Sequence, residues 1–129
     1  MAYIEIFPKS TEAQQRLTDN CASMMDILFH TTKDVLDIPE HDIIIELNQC
    51  STIAFNAMAV KAAAVPDVVI KISSSDHDFQ LKSQVLCDQV VASWDAHFAN
   101  ALKLELWINT INTWGCNMDF SQEEAKAPC

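Results

Sequence analysis

Residues 2–7 alternate in polarity: Ala2, Ile4 and Ile6 fall on one face of an extended chain, and Tyr3, Glu5 and Phe7 on the other. A period of two marks a β-strand. Termini fray unless something ties them down, so a strand that starts at residue 2 is either a loose edge or a deliberately fixed amine. Pro8-Lys9-Ser10 breaks the alternation. Thr11 followed three residues on by Gln14 makes a capping-box pattern. Leu17, Cys21, Met24, Leu28, Val35 and Leu36 then recur at helical spacing. One long helix is expected from Thr11 to about Leu36, weakened in its last third by Thr31 and Thr32 but interrupted by no glycine or proline. Pro39 stops it and pushes Ile38 out of helical geometry. Ile43-Ile44-Ile45-Glu46-Leu47 is nearly continuous in apolar residues, the pattern of a strand buried on both faces. Strand, helix and strand make a βαβ unit, whose crossover should be right-handed.

Ser51-Thr52-Ile53-Ala54-Phe55 suggests a strand returning in a hairpin, followed by an irregular or weakly helical stretch. Alanines at 57, 59, 62, 63 and 64 suit a short helix equally by propensity, and Pro66 ends the stretch either way. The first pattern then repeats. Val68-Val69-Ile70-Lys71-Ile72 is a strand, Ser73 to Asp76 a polar turn, and Asp76 or Asp78 the N-cap of a helix. Phe79, Leu86, Val90, Trp94 and Phe98 form one stripe of that helix, and Leu102 to Asn109 alternates strongly as a last strand. The expected organisation is one domain over residues 1–116, with a βαβ unit at 1–50, a hairpin or irregular connection at 51–66 and a second βαβ unit at 67–114. A polar tail follows at 117–129, anchored by Met118 and Phe120.

A chain of 129 residues fits one such domain and can bury a core without metal or disulfide staples. Half of it is hydrophobic and a fifth charged, which excludes a disordered protein. The apolar runs fall short of the ~18 residues of a membrane span. No basic segment leading into an apolar one opens the sequence, so no secretory signal is expected and the cytoplasm is the expected location. Acidic residues number 18 against 8 basic ones, with Arg16 the sole arginine, which argues against nucleic acid and anionic membranes as partners. Gly115 is the single glycine, so loops that cradle phosphates with several glycines are excluded.

Cys21, Cys50, Cys87, Cys116 and Cys129 are odd in number, scattered and without a C-x-x-C pair, as expected of structural thiols in a reducing compartment. Neither a metal nor another cofactor is expected. Asp76-His77-Asp78 suits a capping turn better than a ligand set, because adjacent residues at a helix start point in different directions. His30, His41 and His97 show no paired spacing.

Two tandem βαβ units opened by Tyr3-Ile4-Glu5-Ile6 resemble the tautomerase superfamily, the group containing macrophage migration inhibitory factor. Leu86-Cys87, Trp107-Ile108-Asn109 and the segment Trp114 to Phe120 are similar to short motifs of that factor. The resemblance spans residues 2 to about 120, and the stretch from Ser51-Thr52 to Pro66-Asp67-Val68-Val69 looks like a branch with a longer hairpin. It implies an α+β fold: a four-stranded mixed sheet with two helices on one face. It also implies a homotrimer, with a site at each subunit boundary built around an N-terminal proline that acts as a base. The matching residue here is Ala2. Removal of Met1 would leave a primary amine there, with a reference pKa of about 8 that burial could bring into a useful range.

By the same match Trp107 and Asn109 would line the substrate pocket as an aromatic wall and a hydrogen-bonding amide. Superfamily enzymes hold a carboxylate substrate with arginines, or with a lysine ahead of the second strand; Asp37, Ile38 and Asp42 stand nearest those positions here, leaving Lys9 as the candidate cation. Two functions follow as expectations. One is a tautomerase that moves a proton on a small unsaturated oxo acid. The other is a non-catalytic trimer that keeps an apolar pocket for a small molecule or another protein.

Overall fold

A computed structural model of the chain describes residues 1–76, 78–99 and 101–111. The opening alternation forms β1 (Ala2–Pro8), with Ala2, Ile4, Ile6 and Pro8 buried and Tyr3, Glu5 and Phe7 half-buried. Two helices follow, α1 (Thr11–Asp19) and α2 (Cys21–Leu36), and lead to β2 (Ile43–Leu47). A short helix α3 (Ala57–Lys61) precedes β3 (Val68–Ser74), α4 (Phe79–Phe98) and β4 (Leu104–Thr110).

The four strands form one mixed sheet in the order β2-β1-β3-β4. Each βαβ unit contributes a parallel pair: Ala2 lies opposite Ile43 in the first, and Ile70 opposite Leu106 in the second. The units join through an antiparallel β1–β3 pairing that sets Ile4 opposite Ile72. Expected and observed architecture agree: an α+β fold with helices on one face of a mixed four-stranded sheet.

The core lies between that face and the helices. Ile4, Ile6, Ile70 and Ile72 meet Leu17, Met24 and Leu28 from the first unit and Phe79, Leu86, Val90 and Trp94 from α4. Trp94 is fully enclosed because its indole N–H donates to Leu102 O at 3.1 Å, so the one polar atom of the ring is satisfied. The other face of the sheet has no helix over it among the described residues. Cross-strand rows there run Ile44–Tyr3–Ser73–Asn109 and Glu46–Glu5–Lys71–Trp107. Trp107 is 54% exposed and Ile44 38% on this open face.

Three local expectations need correction. The single helix from Thr11 to Leu36 is two, because Asn20 ends α1: its backbone N–H and its side-chain amide both donate to Arg16 O, at 3.2 and 2.8 Å. A side chain that competes for backbone groups breaks the helix without glycine or proline. The N-cap of α1 is Ser10, whose hydroxyl accepts from Ala13 N–H at 3.0 Å, one residue before the expected Thr11. Gln14 takes no part in a capping box; its side-chain oxygen accepts from Cys50 N–H at 2.6 Å.

That last bond explains the third correction. Residues 51–56 form no strand, and Ile53 is fully exposed. Gln14 draws the chain after β2 toward α1, so the segment never returns along the sheet edge, and the alanine-rich stretch takes its helical alternative in α3. Asp78 occupies the N-cap position of α4 without a side-chain capping bond among the described residues, whereas Asp76 accepts from Phe79 N–H through its backbone carbonyl at 3.2 Å.

Cys21, Cys50 and Cys87 are free, half-buried thiols. Among the described residues no helix is long and apolar enough to cross a membrane. Trp114, Gly115, Cys116, Cys129 and the expected tail at 117–129 lie outside the described residues.

Candidate functional site

A cavity of about 490 Å³ opens between the end of α2 and the start of α4, lined by Leu36, Asp37, Ile38, Asp76, Asp78, Phe79 and Lys82. Pro39 explains one wall: it cannot continue the helix, and Asp37 takes the left-handed conformation (φ 53°) that closes α2, donating its N–H to Lys33 O. The turn after β3 makes the opposite wall. Buried Ser74 accepts from Asp76 N–H at 3.2 Å, which aims the Asp76 carboxylate at the start of β1, where it accepts from the Met1 ammonium at 2.9 Å.

From the first turns of α4, half-buried Lys82 reaches across and donates to Leu36 O at 3.2 Å. A cation at the C-terminal end of α2 offsets the negative end of the helix dipole. The cavity therefore holds three carboxylates, Asp37, Asp76 and Asp78, beside the ammonium groups of Lys82 and Met1. Among the described residues no three His, Cys, Asp or Glu side chains gather as a metal site would need.

Of the residues singled out in the sequence for catalysis or substrate binding, Ala2 does not line the cavity but lies beside it, behind the Met1 ammonium that Asp76 holds. It is fully buried at the start of β1, one residue from that ammonium. Asp37 and Ile38, which stand near the positions where the resemblance expects a cation, line the cavity, and Asp42 does not. Lys9 does not come to it. It follows the far end of β1, about 23 Å along the strand from Ala2, with its Nζ 5.6 Å from the Phe7 ring and Lys71 Nζ at 5.3 Å from the same ring.

Trp107 and Asn109 stand on the open face of the sheet, opposite the side on which Ala2 packs. Within one chain the sheet separates them from the cavity. The residue that sequence reasoning missed is Lys82. It lies 46 residues from Leu36 and looks like an ordinary exposed helix position until α2 and α4 pack together.

This fold is the one seen in solved structures of the tautomerase superfamily. Leishmania major MIF2 superimposes with a TM-score of 0.60 at 13% identity, over 91% of this chain and 94% of that one. The F6 fused 4-OT wild-type asymmetric trimer gives a TM-score of 0.60 at 18% identity, over 84% and 85% of the two chains. N1, a member of the cis-3-chloroacrylic acid dehalogenase family, gives 0.59 at 14% identity, over 84% of this chain and 74% of that chain. At these identities the likeness is one of fold. No family model matches the sequence, and no curated protein does.

Proposed function

We propose that this protein is a tautomerase-like enzyme that moves a proton on a small unsaturated oxo acid, with the amine of Ala2 as base after removal of Met1. The observation that carries the reading is the cavity between the end of α2 and the start of α4, which lies beside the start of β1 because its lining residue Asp76 reaches the chain terminus. The amine would take a proton from the carbon beside the substrate carbonyl while the electron pair moves onto the carbonyl oxygen. The resulting ammonium would return the proton to that oxygen, so the step balances without a cofactor. α-Amino groups titrate at about 7.7–8.0, and burial disfavours the charged form, so an amine at the buried Ala2 position suits base catalysis near neutrality.

The reading includes a homotrimer. Trp107 and Asn109 would then reach the cavity from the sheet of a neighbouring copy, not from the chain that supplies Ala2. A non-catalytic trimer is the second reading, with a cavity carrying three aspartates and a lysine in place of the apolar pocket expected from the sequence, and it is favoured by the Met1–Asp76 ion pair, which occupies the terminal amine. Retained Met1 would also displace the amine by one residue, about 3.4 Å along a strand.

The test is tautomerisation of phenylpyruvate and 2-hydroxymuconate by protein whose intact mass shows Met1 removed. The enzyme reading expects turnover, its loss on N-acetylation, and its retention or increase in Ala2→Pro. Three equally inert preparations would establish the binding reading, and activity that survives acetylation would reject the amine mechanism.

A further inference from the structure

We infer that the cavity selects small monocarboxylates, anchored by Lys82, over dicarboxylates. The inference rests on the tautomerase reading for its site but makes its own claim about charge. An ammonium has three donors. Lys82 spends one on Leu36 O, and among the described residues no carboxylate lies within ion-pair distance of it. Its side chain is half-buried along the cavity wall, where a bound carboxylate is screened less than at an open surface.

The rest of the wall points the other way. Asp37, Asp76 and Asp78 line the same space, and among the described residues Asp76 alone of the three has a cationic partner there, the Met1 ammonium. Removal of Met1 takes that partner back along the strand. One carboxylate on Lys82 is therefore matched, while a second on the same small ligand would face two or three aspartates with no further lysine or arginine among the described lining residues. The protein as a whole, with a formal charge of −10, adds to the repulsion of a dianion.

The experiment measures binding of two non-reacting probes, hydrocinnamate and adipate, to the Met1-processed protein by calorimetry, alongside turnover of phenylpyruvate. Hydrocinnamate should bind more tightly than adipate. Lys82→Gln should weaken hydrocinnamate by about tenfold or more, the loss of a hydrogen bond to a charged group. Phenylpyruvate KM should rise with it while kcat holds, and Lys82→Arg should restore binding. Because Lys82 also caps α2, thermal unfolding of each variant establishes that it is folded.

The double variant Asp37→Asn, Asp78→Asn should improve adipate binding and leave hydrocinnamate unchanged; asparagine tolerates the left-handed geometry of residue 37. Unchanged hydrocinnamate affinity in folded Lys82→Gln would overturn the anchoring role. Equal affinity for the two probes, or no binding of either, would overturn the selectivity. Lysine-dependent binding without any turnover would support this inference and reject the tautomerase reading.

Discussion

Tyr3 is the only tyrosine in the chain, so its titration can be followed alone by the near-ultraviolet absorbance of the phenolate. The Glu46 carboxylate raises its phenol above the ordinary value of 10.0, and burial, a hydrogen bond with Glu46 and the charge of Glu5 push in the same direction. The titration midpoint in folded protein should accordingly lie above 10, and Glu46→Gln should lower it by removing the largest cause. The sign also fixes a stability effect. The folded chain keeps the phenol proton to higher pH than the unfolded chain does, so Tyr3 leaves stability untouched below pH about 10 and erodes it as pH rises further. A midpoint at or below the ordinary value would place Tyr3 away from Glu46 and contradict the β1–β2 register that sets Glu46 one row along from it.

At the scale of elements, the start of α1 gives a discriminating pair of substitutions. Ser10→Ala removes the hydroxyl that accepts from Ala13 N–H and should cost about 1 kcal/mol in a denaturant melt. Thr11→Ala, the position a capping-box reading favours, should stay within about 0.5 kcal/mol of the parent. The reverse order would restore the sequence-level assignment. The strands were legible because their period of two is local: Ile4 and Ile6 announce a buried face without reference to anything else. The break at Asn20 was not, since a side chain binding Arg16 O leaves no mark in hydrophobic spacing.

The fate of residues 51–56 depends on a partner 36 positions away, the Gln14 side chain on Cys50 N–H, and local strand propensity carries no trace of it. The candidate site divides along the same line. Ala2 drew attention because it opens the first strand, yet it does not line the cavity, whereas Lys82 enters it only through the packing of α4 beside the end of α2. Lys9 was a plausible cation by distance along the sequence, and the direction of β1 carries it to the wrong end of the strand.

The whole molecule turns on the open face of the sheet. Ile44 and Trp107 stand exposed there among Glu5, Glu46, Lys71 and Asn109, a mixed apolar and charged surface without a helix over it among the described residues. The proposed threefold ring would turn this face inward and close on itself, as symmetric assemblies of soluble proteins do. It would also complete the proposed site, since Trp107 and Asn109 lie on the face of the sheet opposite Ala2 and would approach the cavity from another copy. Assembly is therefore the decisive property. Sedimentation equilibrium at micromolar concentration should give the mass of three chains of 14.4 kDa. A single species of one chain's mass, holding across the concentration range, would contradict it.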